Sequence, residues 1–366
     1  MAHPRQAGVG ADGTAISEMI EIRRLEPDGS EAVFARKNIR RGTRFAAEIP
    51  FLTVPPVPDN YELPEFYKAA DGLPLDVVGE MSQLLTQGLV TETIKQDQVV
   101  RREAWAFYKS RKWKDKEGNP LQGKKLNRTI KRVVNLCAVY LAHNVQLGPK
   151  GKYGSGVFPL YSRIGHHCVP NAHNSWNPTL KRLTLHAIHD LKAGDQVFVN
   201  YTGSVCRTRQ QRAFSLATTW GIVCTCPACT EPAIDQLRRH MLIMDQALAA
   251  YDCDASKDPD FTAKYGVPRL VTAREALKTA EELSHLLKRQ RLCGKAKVNE
   301  DHERFRDCSK YALKAGLSDE ALSYARKELD LERLLIGTET VHLIENLDGA
   351  RYWLEHVRNE IGRNQS

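Results

Sequence analysis

Apolar and polar positions alternate in short runs early in the chain and again near its middle, while elsewhere apolar residues recur every three or four positions. Alternation is the period of a half-buried strand, and the wider spacing is that of an amphipathic helix. Residues 18–24 and 32–36 therefore read as two strands around the turn signal Pro27-Asp28-Gly29, and residues 45–54 as one strand stopped by Pro55, Pro56 and Pro58. Residues 63–111 lose the alternation and show helical spacing at Val77, Met81, Leu84 and Leu85. A polar loop over 114–125 with Gly118, Pro120 and Gly123 precedes a helix over 126–142, carried by Ile130, Val133, Val134, Cys137 and Leu141. Strands return at 157–160, 172–176, 182–187 and 196–201.

Beyond Cys229 the period is helical again. Ile234, Leu237, Met241, Met244, Leu248 and Tyr251 form one stripe, and Leu277, Ala280 and Leu287 form the next. Ser318-Asp319 reads as the cap of a helix through Leu335 ended by Gly337, and Thr338 as the start of another with Val341, Ile344 and Trp353. The pattern predicts an α+β chain: a mobile leader at 1–17, a β-rich domain with a helical insertion at about 60–142, and an all-α helical array at 232–366.

A length of 366 residues fits two domains, and 42% hydrophobic with 27% charged residues fits a globular protein. No run of about 18 apolar residues appears, and the first residues lack an apolar signal core. Membrane spanning and secretion are therefore not expected, leaving nucleus or cytoplasm. The net charge of +9 resides in residues 101–132, where twelve Lys or Arg face Glu103, Asp115 and Glu117, with Trp105, Phe107, Tyr108 and Trp113 between them. Such a stretch is a solvated helical face or a surface for nucleic acid or an acidic protein.

Nine cysteines without an export signal argue against a disulfide framework. Cys224, Cys226 and Cys229 are crowded into six residues, so three thiolates can reach one ion, and tetrahedral zinc then needs a fourth ligand from elsewhere. Buried free thiols are the plainer alternative.

Four segments occur in a telling order: Val33-Phe34-Ala35-Arg36 with Ile39-Arg40-Arg41-Gly42-Thr43; Gly165-His166-His167-Cys168-Val169-Pro170-Asn171; Gly194-Asp195-Gln196-Val197 through Asn200-Tyr201; and the cysteine cluster. Together they resemble a SET-domain protein methyltransferase over about residues 18–230. The helical tail resembles the C-terminal, TPR-like region of the SET-and-MYND subfamily, but no paired-cysteine finger of the MYND kind lies between Val54 and Leu126. The resemblance implies a SET domain at 18–205 with a pseudoknot, a post-SET zinc segment at 206–231, and S-adenosylmethionine and zinc as cofactors. It assigns Tyr201 as catalytic residue, Ala32, Phe34, Asn144, Gly165, His166 and Tyr201 to the cofactor, and Cys168 as the fourth zinc ligand beside Cys224, Cys226 and Cys229. His166 or His167 is the substitute ligand. Asn144 is placed by its position ahead of Gly154-Ser-Gly156-Val-Phe158-Pro159.

Three positions depart from the family: Gly165 replaces an Asn, His167 a Ser, and Ser30-Glu31-Ala32 a Gly-x-Gly. A lost carboxamide and added Cβ atoms weaken a cofactor cradle. The implied activity is methyl transfer to a protein lysine, a histone tail among the candidates, by a monomer. The rivals are a SET-fold scaffold that has lost the cofactor and acts through its helical array, a small-molecule methyltransferase, and a zinc-stabilised nucleic-acid binder. Tyr201 itself also fits plain core packing, with its hydroxyl bonded to backbone. His143, His173, His186 and His189 read as residues of a β surface without metal spacing.

Overall fold

The first hairpin forms where the alternation places it: β1 (Ile20–Arg24) and β2 (Glu31–Ala35) pair antiparallel with Ile22 opposite Val33. In the computed structural model of the protein, the residues described are 18–27, 29–57, 63–84, 98–110, 119, 122–148, 151–203, 205–292, 304–338 and 349–365. The leader, Asp28, Pro58, Leu85, most of the 114–125 loop, Cys293, Val341 and Ile344 lie outside them.

The expected strand at 45–54 is two strands in different sheets, β3 (Arg44–Glu48) and β4 (Leu52–Val54). Pro50 between them has no N–H to offer a ladder. The buried Glu48 carboxylate instead accepts the backbone N–H groups of Leu160 and Tyr161 at 2.7 and 2.8 Å, which pins this corner to the chain more than a hundred residues on. β3 pairs with β9 (Arg182–Ala187), and β9 with β8 (Ala172–Asn177). β4 pairs with β6 (Ser155–Val157), which also takes β5 (Val145–Gln146). β6 thus lies upstream of the expected 157–160, and Tyr161–Arg163 form a single 3-10 turn. Gly154 has φ +90°, and a Cβ there would collide with the Val54 carbonyl, so the bend into β6 requires glycine. The expected strand at 196–201 contributes only β10 (Phe198–Val199), parallel to β7 (Gly165–His166).

The insertion between β4 and β5 is helical, with helices Leu63–Asp71, Leu75–Gln83, Gln98–Ser110 and Gly123–His143. Their buried faces, among them Phe66, Tyr67, Met81, Ala104, Val133 and Cys137, form one cluster with Leu52, Val54 and Val157 of the β4–β6 pair. Burying side chains of this kind stabilises by about 1.5–3 kcal/mol each. His143 is the last residue of a helix, not part of a β surface.

The C-terminal part is all helix among the described residues: Pro232–Asp252, Phe261–Tyr265, Ala273–Arg289, Phe305–Lys314, Ser318–Ile336 and Ala350–Gln365. Met241, Met244, Leu248, Leu277, Ala280 and Leu287 are buried along the expected stripes. Ser318 is the first helical residue and not a cap; Leu317 occupies the cap position, with no side-chain bond there. Gly337 does end that helix. The same helix packs against β8 and β9, and His189 bonds the Arg291 carbonyl at 2.9 Å, so the array is seated directly on the β domain.

Candidate functional site

Two distant segments meet where β7 and β10 run side by side. Asn171 joins them with both ends of its carboxamide: Nδ2 donates to the Gln196 carbonyl and Oδ1 accepts from the Phe198 N–H, each at 2.8 Å. The pairing sets His166 against Tyr201. The Tyr201 backbone N–H donates to His166 Nδ1 at 3.1 Å, so the ring proton sits on Nε2, which lies 3.3 Å from Cys168 Sγ. Burial, reinforced by the charge of Arg212, pushes His166 down to about 4, so the ring is neutral near pH 7.

Tyr201 carries its ring between His166 at 5.5 Å and Trp220 at 5.4 Å, and its hydroxyl donates to the Ile164 carbonyl. Burial raises its pKa above the usual phenol range. Half-buried Tyr161 is raised likewise, chiefly by desolvation and then by Tyr201. Trp220 ends a helix, Arg209–Trp220, that the hydrophobic pattern did not disclose. Thr208 and Gln211 cap it reciprocally, and Gly221 closes it in the left-handed region at φ +66°.

That helix leads into the cysteine cluster. Cys224, Cys226 and Cys229 surround Cys168, and the four Sγ atoms all lie within 4.8 Å of one another. Cys168 is 3.9 Å from Cys224 and 3.4 Å from Cys229. A tetrahedral ion with bonds of about 2.3 Å to sulfur sets its ligands about 3.8 Å apart, so the donor set fits zinc. All four are free thiols, three of them buried. In the absence of a cation so many ionised sulfurs would repel one another; hydrogen bonds from Cys168 and Cys224 lower Cys226, while the same network and burial raise Cys168. The four-residue turn Pro227–Thr230 folds back so that the Cys229 N–H meets the Cys226 carbonyl at 2.7 Å, bringing the two sulfurs to one side.

Two further groups at the cluster were missed in the sequence, because arginine in a basic protein reads as surface. Arg212 is 1% exposed and donates Nε to Cys168 Sγ at 3.3 Å; Arg238 is 0% exposed and donates to the carbonyls of Val205 and Cys168. His167 is turned away, its Nδ1 engaged by Val169, and is not a member of the four-sulfur group.

The residues assigned by resemblance to the cofactor are brought together only in part. Gly165, His166 and Tyr201 adjoin one another, and Phe34 meets the segment just ahead of β10 through an isolated bridge with Gln196. Ala32 is buried in β2, opposite Arg23. Asn144 follows the Gly123–His143 helix and donates back to the Tyr140 carbonyl at 2.9 Å. A Cβ on Gly165 would stand 3.5 Å from the Phe198 ring and 3.8 Å from Gln196 Nε2. The Gln196 carboxamide thus lies beside the place of the missing asparagine, a polar group of the kind a cofactor cradle needs. A cavity of about 360 Å³ is lined by His167, Asn171, Asp195, Gln196, Phe198 and Arg291 among others.

Residues 31–202 match the SET domain family, so the chain carries a SET domain. It is 26% identical over 197 residues to histone-lysine N-methyltransferase set5 of Schizosaccharomyces pombe, covering 54% of each chain. To protein-lysine N-trimethyltransferase SMYD5 of Homo sapiens it is 36% identical over 83 residues, 22% of this chain and 20% of that one. The chain spans about half the length, or less, of these curated relatives. Rubisco LSMT bound to AdoMet is 14% identical with a TM-score of 0.34, covering 93% of this chain and 97% of the other.

Proposed function

We propose that the chain is an S-adenosylmethionine-dependent methyltransferase acting on the lysine side chains of proteins. The observation that carries this reading is the setting of Tyr201: backbone held by His166, ring against Trp220, hydroxyl proton committed to Ile164. With the proton committed, the lone pairs of Oη are free to face a partly positive methyl group, an interaction that strengthens as the transition state forms. Its raised pKa keeps Tyr201 protonated, so it orients the reaction and is not the base. Ala32, Phe34, Gly165 and His166 would hold the cofactor, together with Asn144 and with Gln196 in place of the missing asparagine. The cofactor supplies a methyl group activated by a sulfonium sulfur.

The aromatic walls of Tyr201 and Trp220 exclude water from an entering lysine. Desolvation disfavours its ammonium form, so the amine reaches the site as the neutral nucleophile. The names of the relatives, one a histone-lysine and one a protein-lysine methyltransferase, support a protein substrate. Calorimetric titration with S-adenosylmethionine, followed by labelling of a peptide array with methyl-labelled cofactor, tests the proposal. Binding with lysine labelling is the expected result; absence of binding by folded, metal-replete protein would leave the scaffold reading in its place.

A further inference from the structure

A divalent ion held by four thiolates leaves two negative charges in a site that is largely closed to water. Such charge is costly to bury unless other groups answer it. Arg212 and Arg238, almost wholly buried, approach this cluster, and neither makes an ion pair with a carboxylate among the described residues. Arg212 donates Nε to Cys168 Sγ at 3.3 Å and Nη2 to Cys229 Sγ at 3.6 Å, and fixes its fork on the carbonyls of Arg207 and Ala228, both at 2.6 Å. Arg238 spans the Val205 and Cys168 carbonyls at 2.7 and 3.2 Å. Asp235 is nearby but already engaged by the Arg209 N–H at 2.6 Å and by Arg239 at 3.1 Å. A fifth cysteine, Cys206, is buried as well but is outside the four-sulfur group.

We infer that Arg212 and Arg238 are the counter-charges of a metal tetrathiolate, two positive charges against its two negative ones, with Arg212 bonding two of the four sulfurs directly. They are positioning residues for the metal. Arg212 draws electron density from Cys168 and Cys229 and so shields them from protons that would release the ion, while Arg238 fixes the Cys168 backbone and adds its field. The inference rests on the four-cysteine metal reading and is independent of methyl transfer.

The test uses the full chain loaded with Zn²⁺ or Co²⁺, reading the rate of metal release to an excess of chelator and the thiolate charge-transfer bands of the cobalt form. Arg212→Gln is expected to release metal at least about tenfold faster, the usual scale for losing a group that bonds a metal ligand. Arg212→Lys, which keeps the charge, should recover part of that. The discriminating variant is Cys224→His, which keeps four ligands and removes one negative charge. Placed on the Arg212→Gln background it should restore much of the retention, something a packing role for Arg212 would not produce.

A folded Arg212→Gln protein with wild-type release, or a double variant with no recovery, overturns the inference. Should Arg212→Gln not fold, the same cycle with Arg238→Gln decides by the same two criteria. Should neither single variant fold, the doubles with Cys224→His decide: folded doubles support charge neutrality, and unfolded doubles overturn it.

Discussion

The Tyr201 backbone N–H donates to His166 Nδ1 while the opposite ring nitrogen faces Cys168 Sγ, so one imidazole joins the cysteine cluster to the proposed catalytic tyrosine. Displacing the metal frees Cys168 to move, and His166 moves with it. Treating the metal-loaded protein with a chelator under reducing conditions should therefore lower methyl transfer and change the fluorescence of Trp220, which packs on Tyr201. Zinc added back should restore both. Full activity after complete metal removal would show that His166 does not transmit the loss.

One zinc ion per chain is expected on Cys168, Cys224, Cys226 and Cys229. Cys226→Ser removes a thiolate from the site and should cost several kcal/mol of folding free energy, since the binding energy of a structural ion is folding energy. Elemental analysis and thermal melting check it. A zinc content unchanged by the substitution would contradict the ligand assignment.

Tyr201→Phe should leave fold and cofactor affinity nearly intact and slow methyl transfer by at least about tenfold at saturating cofactor, because only an interaction made in the transition state is lost. Unchanged turnover would make Tyr201 a packing residue whose hydroxyl serves the Ile164 carbonyl alone.

Gly165 does not lie in the positive-φ region, and a Cβ there meets its neighbours at ordinary contact distance, so Gly165→Asn is sterically possible. An added carboxamide should tighten S-adenosylmethionine by up to about tenfold, or about 1.4 kcal/mol. The nearness of Gln196 sharpens the expectation: Gln196→Ala should weaken cofactor binding in the parent protein, and Gly165→Asn should repair it. Calorimetry reads both, and no loss on Gln196→Ala would dismiss it as the replacement.

Asp235 links the Arg209–Trp220 helix to the Pro232–Asp252 helix. Burial would raise its pKa, but the Arg209 N–H and the Arg239 guanidinium outweigh this and hold it below the usual carboxylate value. A carboxyl group depressed by folding contributes stability that is present above its unfolded pKa of about 3.9 and is lost as pH falls through the lower folded value. Asp235→Asn should therefore reduce stability at neutral pH, with the difference from the parent shrinking below about pH 4. Denaturant titrations at both pH values measure it.

Where local pattern decides structure, the sequence was legible. Residues 182–187 alternate and form β9 with those bounds, and the apolar stripe through Val133 and Cys137 makes the helix that buries them. Cys168 joins the other three cysteines as the resemblance implied. The split of residues 45–54 was hidden because Glu48 is answered by amides at 160 and 161, a partner no local window contains. The Arg209–Trp220 helix carries little apolar periodicity, though its capping pair Thr208 and Gln211 could have marked its start. Arg212, Arg238 and Gln196 were invisible for a similar reason: their surroundings are assembled from segments far apart in the chain.

β3 finds its partner only in β9, Arg44 opposite His186, and β7 waits for β10, Gly165 beside Phe198. During synthesis the β domain thus cannot close its sheets until β10 has left the ribosome, whereas the helices of the insertion, which precede it, can gather among themselves early. Distant pairings of this kind make folding slow. The cysteine turn emerges after the last of these strands, so metal capture falls at the end of assembly and latches a domain whose halves have already met.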